Sequence, residues 1–502
     1  MADDIIVIGA GVAGLSTGCY AHMNGYKARI FELHDKPGGL LTAWKRKGYT
    51  FDGCVHWLMG SAPASSFHVI WGELGVLQNT EFAHFDEFAH IVDADGKELI
   101  LYTDMDKLAE HMIALAPGDA KAIRGMTRTI KRLSRFDPPI ILCARERMGP
   151  IEGLKALWEV LPLADVFLGT KGQDWASYVQ RFEDPFLRDV LTKVYPPGFP
   201  TVTVLVVMAT QYARAGGYPL GGSLPIARAM EKRFLDLGGQ VQYNARVTEI
   251  IVENDRAVGV RLEDGTEHRA ETIVSAADGH STIFDMLGGR YIDDTIQRYY
   301  DELPPFEPMI MVSLGLEMDL SDHPHGVAYF LDEPITIAGQ ELNRLGFRHY
   351  AEDPHMAPPG HTAATAVFDV DWERWEALGK DRAAYDAEKE RVAEQVIAAL
   401  NARIPGLADA VRVVDVATPL TTVRYTANWK GSVEGWMFSH EVMAMMMRGG
   451  MKKTLPGLDR FHMVGHWVEP GGGLPPSAKC GRDLIQNLCH RDRKKFVTTT
   501  PE

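Results

Sequence analysis

The sequence predicts an α/β fold, and three observations carry that prediction. A short apolar run, Ile5–Ile8, stops at a Gly9-x-Gly11-x-x-Gly14 turn and passes into a helix-like stretch that ends near Asn24-Gly25. A second strand pattern, Lys27–Phe31, follows and finishes on a carboxylate, Glu32. No second such glycine motif follows a strand, so the rest of the 502 residues builds something other than a copy of that unit.

The residue types in the opening unit are those that dinucleotide binding demands. Gly9 allows the tight turn, Gly11 lets a pyrophosphate approach the backbone, and Gly14 lets helix and strand pack closely. The helix N-terminus offers free N–H groups and a positive dipole end to the phosphates. Glu32 stands about 20 residues beyond the turn, where an acid accepts hydrogen bonds from a ribose diol. Strand, helix, second strand and terminal acid in register make the reading specific in a way that a lone glycine motif is not. Beyond Glu32 comes a glycine pair, Gly38-Gly39, where a nicotinamide-binding unit would proceed to another crossover helix. The pair suggests backbone brought close to a long cofactor.

Composition narrows the function classes. The chain has the length of two or three ordinary domains, with 46% hydrophobic and 24% charged residues. A formal net charge of −15 argues against nucleic acid, whose phosphates call for a basic face. Five scattered cysteines form no CxxC pair and no zinc spacing, so neither a redox dithiol nor a metal is expected, and reduced thiols in the cytoplasm are. The most apolar stretch, Thr201–Thr210, is half the length that a membrane span needs. It reads as a buried helix or strand. The acidic start, "MADD", is unlike an export signal.

From Gly9 onward the pattern GxGxxG, Glu32, Gly38-Gly39 and then Gly48, Tyr49, Phe51 and Asp52 resembles the FAD-dependent amine-oxidase-like flavoproteins. Within them it is similar to the phytoene desaturase, carotenoid isomerase and retinol saturase branch. The resemblance continues through "GGYPLGGSLPIARAMEKRFLDLGG" and the following meander, with turn signals at Asn254-Asp255 and Asp264-Gly265. It ends in "FHMVGHWVEPGGGLPPSAKCGRDLIQNL", which looks like the C-terminal flavin motif of that group: strand, glycine-rich turn, and a helix beginning near Pro476-Ser477.

The resemblance implies an FAD-binding Rossmann-like domain of glutathione-reductase-like two-domain architecture, with an inserted α+β substrate domain. The FAD domain is discontinuous, residues 1–80, 220–300 and 455–502, and residues 81–219 and 301–454 form the substrate domain. Non-covalent FAD is implied at Gly9, Gly11, Ala13, Gly14, Glu32, Leu33, Gly38, Gly39, Leu40, His56 and Trp57, with the backbone of Val247 at the adenine end. Gly465, Pro470, Gly471, Gly472, Gly473 and Leu474 are implied at the isoalloxazine, where glycines admit the ring without a Cβ in the way. Arg424-Tyr425 occupies a stretch similar to one that reaches the flavin.

The inserted pieces carry their own signals. A hairpin is expected to turn at Asp95-Gly96, with helical patterns after it. Strand-like runs stand at Met309–Leu316, Leu345–Tyr350 and Thr362–Val370, and a long charged helix runs from Arg382 to about Ala402. The sequence holds two candidates for proton transfer, His56 in "FDGCVHWLMG" and Glu469 beside the glycine triplet, and each has a structural alternative. The methionines Met443, Met445, Met446, Met447 and Met451 fit either a pliable wall for a long lipid or ordinary core packing.

The expected activity is oxidation or reduction at carbon–carbon bonds of a lipophilic unsaturated substrate, an isoprenoid, carotenoid, retinoid or related lipid. Hydride would pass between a substrate carbon and flavin N5, and saturation, desaturation and isomerisation stay open. An external electron donor or acceptor is expected as partner, and peripheral membrane contact is compatible with the composition. The alternatives are an amine oxidase-like flavoenzyme and a non-catalytic flavin-bound lipid carrier.

Overall fold

A computed structural model describes residues 3–501 except 64, 138, 171, 196, 197, 448, 449 and 471. Gly471, expected at the flavin, therefore lies outside the described residues.

Two seven-stranded sheets organise the chain. In the first, the apolar run Asp3–Ile8 lies between Ala28–Phe31 and Glu267–Ser275, parallel to both, and Gln240–Gln242 extends the sheet beyond Ala28–Phe31. Phe461–Met463 adds a further parallel strand beside residues 273–275. The strand Glu267–Ser275 serves two partners. Its second half pairs in parallel, and its first half pairs antiparallel with Arg256–Leu262, which pairs in turn with Val247–Glu253. Strands buried on both faces read as unbroken apolar runs, and Ile5, Ile6 and Val7 are sealed completely.

Two helices pack across the parallel part. Val12–Met23 follows the glycine turn, and Leu474–Arg491 closes the chain. They touch at Gly481, where a Cβ would stand 2.7 Å from both the Ala13 carbonyl oxygen and the Thr17 nitrogen. Ser16 Oγ donates to the Ala478 carbonyl across the same seam, at 2.5 Å. Both helices consequently start at the same edge of the sheet. The last helix begins two residues before the expected Pro476-Ser477 position, because proline needs no N–H in a first helical turn and Pro475 and Pro476 sit comfortably there.

The second sheet runs in the order Val411–Ala417, Met309–Leu316, Thr362–Asp369, Gln340–His349, Gly326–Ile337, Glu87–Val92, Glu98–Tyr102. Its pairings are antiparallel except that Gly326–Ile337 lies parallel to Glu87–Val92. The expected hairpin at Asp95-Gly96 is thereby joined to strands more than two hundred residues away. The charged helix Arg382–Asn401 covers one face of this sheet through Val392, Val396 and Leu400. Thr201–Tyr212 is a helix with Val204 and Leu205 buried in a separate helical layer. The other face of the second sheet looks toward the glycine-rich edge of the first.

Candidate functional site

Four parallel strands deliver their carboxyl ends to one groove: Ile8-Gly9, Phe31-Glu32, Ala276-Ala277 and Val464-Gly465. Ligands of open α/β sheets bind at this edge, outside the carboxyl ends of the strands. The groove encloses about 420 Å3. Of the residues expected at the cofactor, Gly9, Gly11, Ala13, Glu32, Leu33, Gly38, Gly39, Leu40, Val247, Gly465 and Leu474 line it.

The glycines of the turn serve different ends. Gly9 takes φ +96°, which favours glycine. At Gly14 a Cβ would press into the carbonyl oxygen of Gly9 and stand 3.2 Å from Ala276 Cβ, so packing alone requires glycine there. Gly11 is unlike either. Its φ of −69° suits any residue, and a Cβ would come no nearer the protein than 3.8 Å, at the Gly38 carbonyl oxygen. Nothing in the polypeptide asks for glycine at Gly11, and the space over it is open. Gly11 is also the N-cap of its helix and offers no side chain to the first-turn N–H groups. The second helix aimed at the groove likewise starts from a glycine cap, Gly473 at φ +80°. Two bare helix N-termini, with open space over Gly11, fit an anionic, elongated cofactor.

Glu32 closes one side of the groove. Its carboxylate accepts from the Ala10 N–H at 2.6 Å and the His34 N–H at 2.8 Å, which fixes its direction. Burial pushes its pKa up, and the N–H donors act against that shift. Each oxygen retains a lone pair for a ribose hydroxyl. Asp278, at the end of the next strand, accepts from the Ser281 and Trp429 N–H groups; burial raises its pKa to about 6.

Other expected residues lie elsewhere. Asp52, of the Tyr49–Asp52 strand, caps the helix Ser223–Asp236 through the N–H and hydroxyl of Ser223 and also accepts from the Cys54 N–H. The Gly221-Gly222 turn serves that cap, since a Cβ on Gly222 would run into the Asp52 carboxylate. Glu469 binds the buried Lys453 and Arg145, at 3.5 Å each, and lies outside the groove lining. Pro470 is buried beyond the lining, and Gly472 meets Glu434. Met451 is buried in the first-sheet core and Met445 packs against it; the Met447 side chain lies outside the described set.

His56 and Trp57 occupy a second space, a chamber of about 340 Å3 against the second sheet. His56 is set deep in the protein yet open to the chamber, and burial, reinforced by Arg348, drives its pKa down to about 3. A third cavity of about 530 Å3 shares Val367 with this chamber, and shares Gly39, Leu40, Tyr425 and Glu434 with the groove. The three spaces thus follow one another across the molecule.

Glu434, at the junction, escaped the sequence reading. One of its oxygens accepts from the Gly473 N–H at 2.9 Å, while the other is buried without a partner. No motif announces it, because it reaches the site from a loop about forty residues before the glycine turn. Ala276-Ala277 were legible in principle as small residues after an apolar strand.

Residues 12–401 match the family of flavin containing amine oxidoreductases. A chloroplastic prolycopene isomerase of Arabidopsis thaliana is 24% identical over 94% of this chain and 80% of its own. A neurosporene-forming phytoene desaturase of Rhodobacter capsulatus is 26% identical over 96% of this chain and 93% of its own. Among solved structures, a redesigned putrescine oxidase superposes with a TM-score of 0.61 at 12% identity, covering 98% of this chain and all of that one. An oxidoreductase from Methanosarcina mazei gives 0.59 at 17%, over 96% of this chain and all of its own. Those structures share the fold, and the groove fits the cofactor: the chain belongs to the family of flavin-containing amine oxidoreductases and is an FAD-dependent oxidoreductase.

Proposed function

We propose that the protein acts on carbon–carbon bonds of a long, lipophilic, unsaturated substrate, adding or removing a hydride together with a proton, or isomerising a double bond. The observation that carries this reading is the series of neighbouring cavities along the second sheet, the third of which shares Leu40 and Glu434 with the cofactor groove. Its lining includes Met309, Met311 and Val367, apolar chains that a hydrocarbon wets, among charged chains that include Lys36, Arg46, Lys389 and Asp415. The similarity to carotene desaturases and isomerases supports the same substrate class. Bound FAD supplies the hydride exchange.

The chain's own residues orient the substrate and keep water out. His56 meets the substrate as a neutral imidazole, because its conjugate acid is disfavoured down to about pH 3. So weak a base gives little return as a proton carrier at neutral pH. We therefore assign His56 to positioning by hydrogen bond and Glu434 to the polar junction beside the cofactor. With no second nucleotide motif in the chain, we take the electron partner to be an outside donor or acceptor.

A lipid substrate has to be taken from a lipid phase, and one surface suits that task. The helix Pro150–Val160 and the residues after it expose Ile151, Leu154, Leu157, Trp158, Leu161 and Leu168, each more than half accessible. Spacings of three and four residues set the helical members on one face. No described helix is long and apolar enough to cross a membrane, so this contact is peripheral. Each large apolar side chain gains about 1.5–3 kcal/mol on leaving water. Leu154→Glu with Trp158→Glu should therefore lower the vesicle partition constant, read by co-sedimentation, by at least about a hundredfold at unchanged flavin content; undiminished binding would remove this face from consideration.

The activity is tested by reducing the enzyme anaerobically, adding carotenes, retinoids and unsaturated fatty acids, and following flavin reoxidation together with product mass. Turnover of a lipid with a mass change of two hydrogens, or a shifted double-bond geometry, supports the reading. Turnover of small polar amines with indifference to every lipid overturns it.

A further inference from the structure

The chamber beside His56 holds a charge that the fold leaves unmatched. Arg348 stands on the strand Gln340–His349, opposite Gly326 on one neighbour and Thr365 on the other. Two residues before it on the same strand face, Gly346 lies opposite Ala328. Neither glycine is required by the backbone, since neither takes positive φ. A Cβ would come no closer than 3.9 Å to any neighbour of Gly326 and 3.7 Å to any neighbour of Gly346, which is ordinary contact. Glycine inside a strand costs roughly 0.5–1 kcal/mol relative to alanine. Its use at two adjoining cavity positions keeps space clear beside the arginine.

The guanidinium is held in place without being neutralised. It lies 5.5 Å from the ring centres of both Tyr218 and Tyr350, and one Nη donates to the His56 carbonyl at 3.4 Å. Its Nε is buried with no acceptor. Among the described residues no carboxylate lies within 4.0 Å of it. Asp52, whose field reaches it, is already taken up by Ser223 and Cys54, and Glu87 across the chamber binds His90 Nε2 at 2.7 Å. His56 and His325, with pKa values lowered to about 3 by burial, add no positive charge to the chamber and offer none that is negative. By contrast, Arg482 in the first-sheet core has the carboxylate of Glu73 at 3.0 Å. A guanidinium on a cavity wall, with its Nε unpartnered and no carboxylate beside it, leaves a place for an anion that a ligand brings.

We propose that the chamber binds the carboxylate end of an amphipathic unsaturated lipid, with Arg348 as its counter-ion. The planar guanidinium suits two-point pairing with a carboxylate, and the neutral imidazoles of His56 and His325 supply further N–H donors. The hydrocarbon part lies over Gly346 and Ala328 and passes Val367 toward the groove. This inference rests on the lipid-oxidoreductase reading and narrows it to acids, where the carotenes acted on by the named relatives are not acids.

The test uses the purified holoprotein and matched ligand pairs, linoleic acid with linoleyl alcohol and all-trans-retinoic acid with all-trans-retinol. Binding is read from perturbation of the flavin absorbance. A charge-assisted pair predicts at least about tenfold tighter binding of each acid than of its alcohol. Arg348→Leu should abolish that preference and Arg348→Lys should retain part of it, at unchanged flavin content and with no loss of melting temperature. The comparison of acid with alcohol in the wild type stands even if neither variant folds. Equal binding of acid and alcohol, or tighter binding of a carotene than of either acid, overturns this inference and leaves the double-bond reading intact. Binding of no lipid at all overturns both.

Discussion

Gly11 and Gly14 stand three residues apart in one motif, and the structure predicts opposite consequences for the same substitution. Gly14→Ala drives a methyl into the Gly9 carbonyl, with Gly9 C at 3.1 Å and Ala276 Cβ at 3.2 Å, and no flexible side chain is there to yield. Overpacking of this kind costs roughly 1–3 kcal/mol, so the apoprotein should melt about 1–3 degrees lower. Gly11→Ala meets nothing nearer than 3.8 Å, at a φ that alanine readily adopts. The unfolded chain loses freedom, a gain of about 0.4–1 kcal/mol, and alanine caps a helix less well than glycine by a comparable amount. The apoprotein's stability should therefore barely move. FAD affinity should nonetheless fall, because the methyl occupies the space a pyrophosphate needs; about 1–3 kcal/mol of overlap means roughly 5- to 150-fold. Thermal melts of flavin-stripped protein and quenching of FAD fluorescence on rebinding measure the two effects separately. If Gly11→Ala binds FAD as the wild type does, or destabilises the apoprotein as much as Gly14→Ala, the division of labour argued here is wrong.

Other consequences follow from the same geometry. Glu32→Gln keeps one acceptor for the Ala10 and His34 N–H groups but leaves the other facing an amide, so a loss of about 1–3 kcal/mol in stability and a fall in FAD affinity are expected, checked by melting and equilibrium dialysis. Gly472→Val sets a branched chain at φ +74° with its Cβ 2.7 Å from Oε2 of Glu434, which lines the groove; displacing Glu434 should shift the flavin spectrum, and an unchanged spectrum with unchanged affinity would show that Glu434 does not border the flavin. His462 has a folded-state pKa lowered to about 4 by burial, below its unfolded value of about 6.5. The folded state then binds fewer protons between those values, and wild-type stability from this group falls as pH drops through that window. His462→Phe should accordingly gain stability relative to wild type between about pH 7.5 and about pH 5, and a constant difference in melting temperature would contradict the assignment.

Much of the first sheet was readable because its signals are local. A strand, a glycine turn, a helix and an acid fall within thirty residues, and each residue type answers a demand made by its immediate neighbours. The Asp95-Gly96 hairpin was readable for the same reason. The order of the second sheet was not. Its parallel pairing of Val327 with His90 joins positions whose local sequences say nothing of one another. The start of the last helix was misjudged by two residues because Pro475-Pro476 looks like an interruption until the first turn's indifference to N–H groups is taken into account.

The site divides along the same line. Glycines that a turn requires announce themselves, whereas Gly326 and Gly346 read in sequence only as blemishes in strands, and their meaning appears when the space above them is seen to be open. Charges behave likewise. Glu469 stands next to the flavin motif and invites a chemical role by position, yet Lys453 and Arg145 both lie against it. Arg348 and Glu434 stand next to nothing suggestive, yet each keeps a buried polar atom without a partner. Whether a charged group is satisfied depends on elements that meet only in the folded chain. Such groups persist in a folded protein when a ligand completes them, so an unmatched group in a cavity wall is stronger evidence for a site than proximity to a motif.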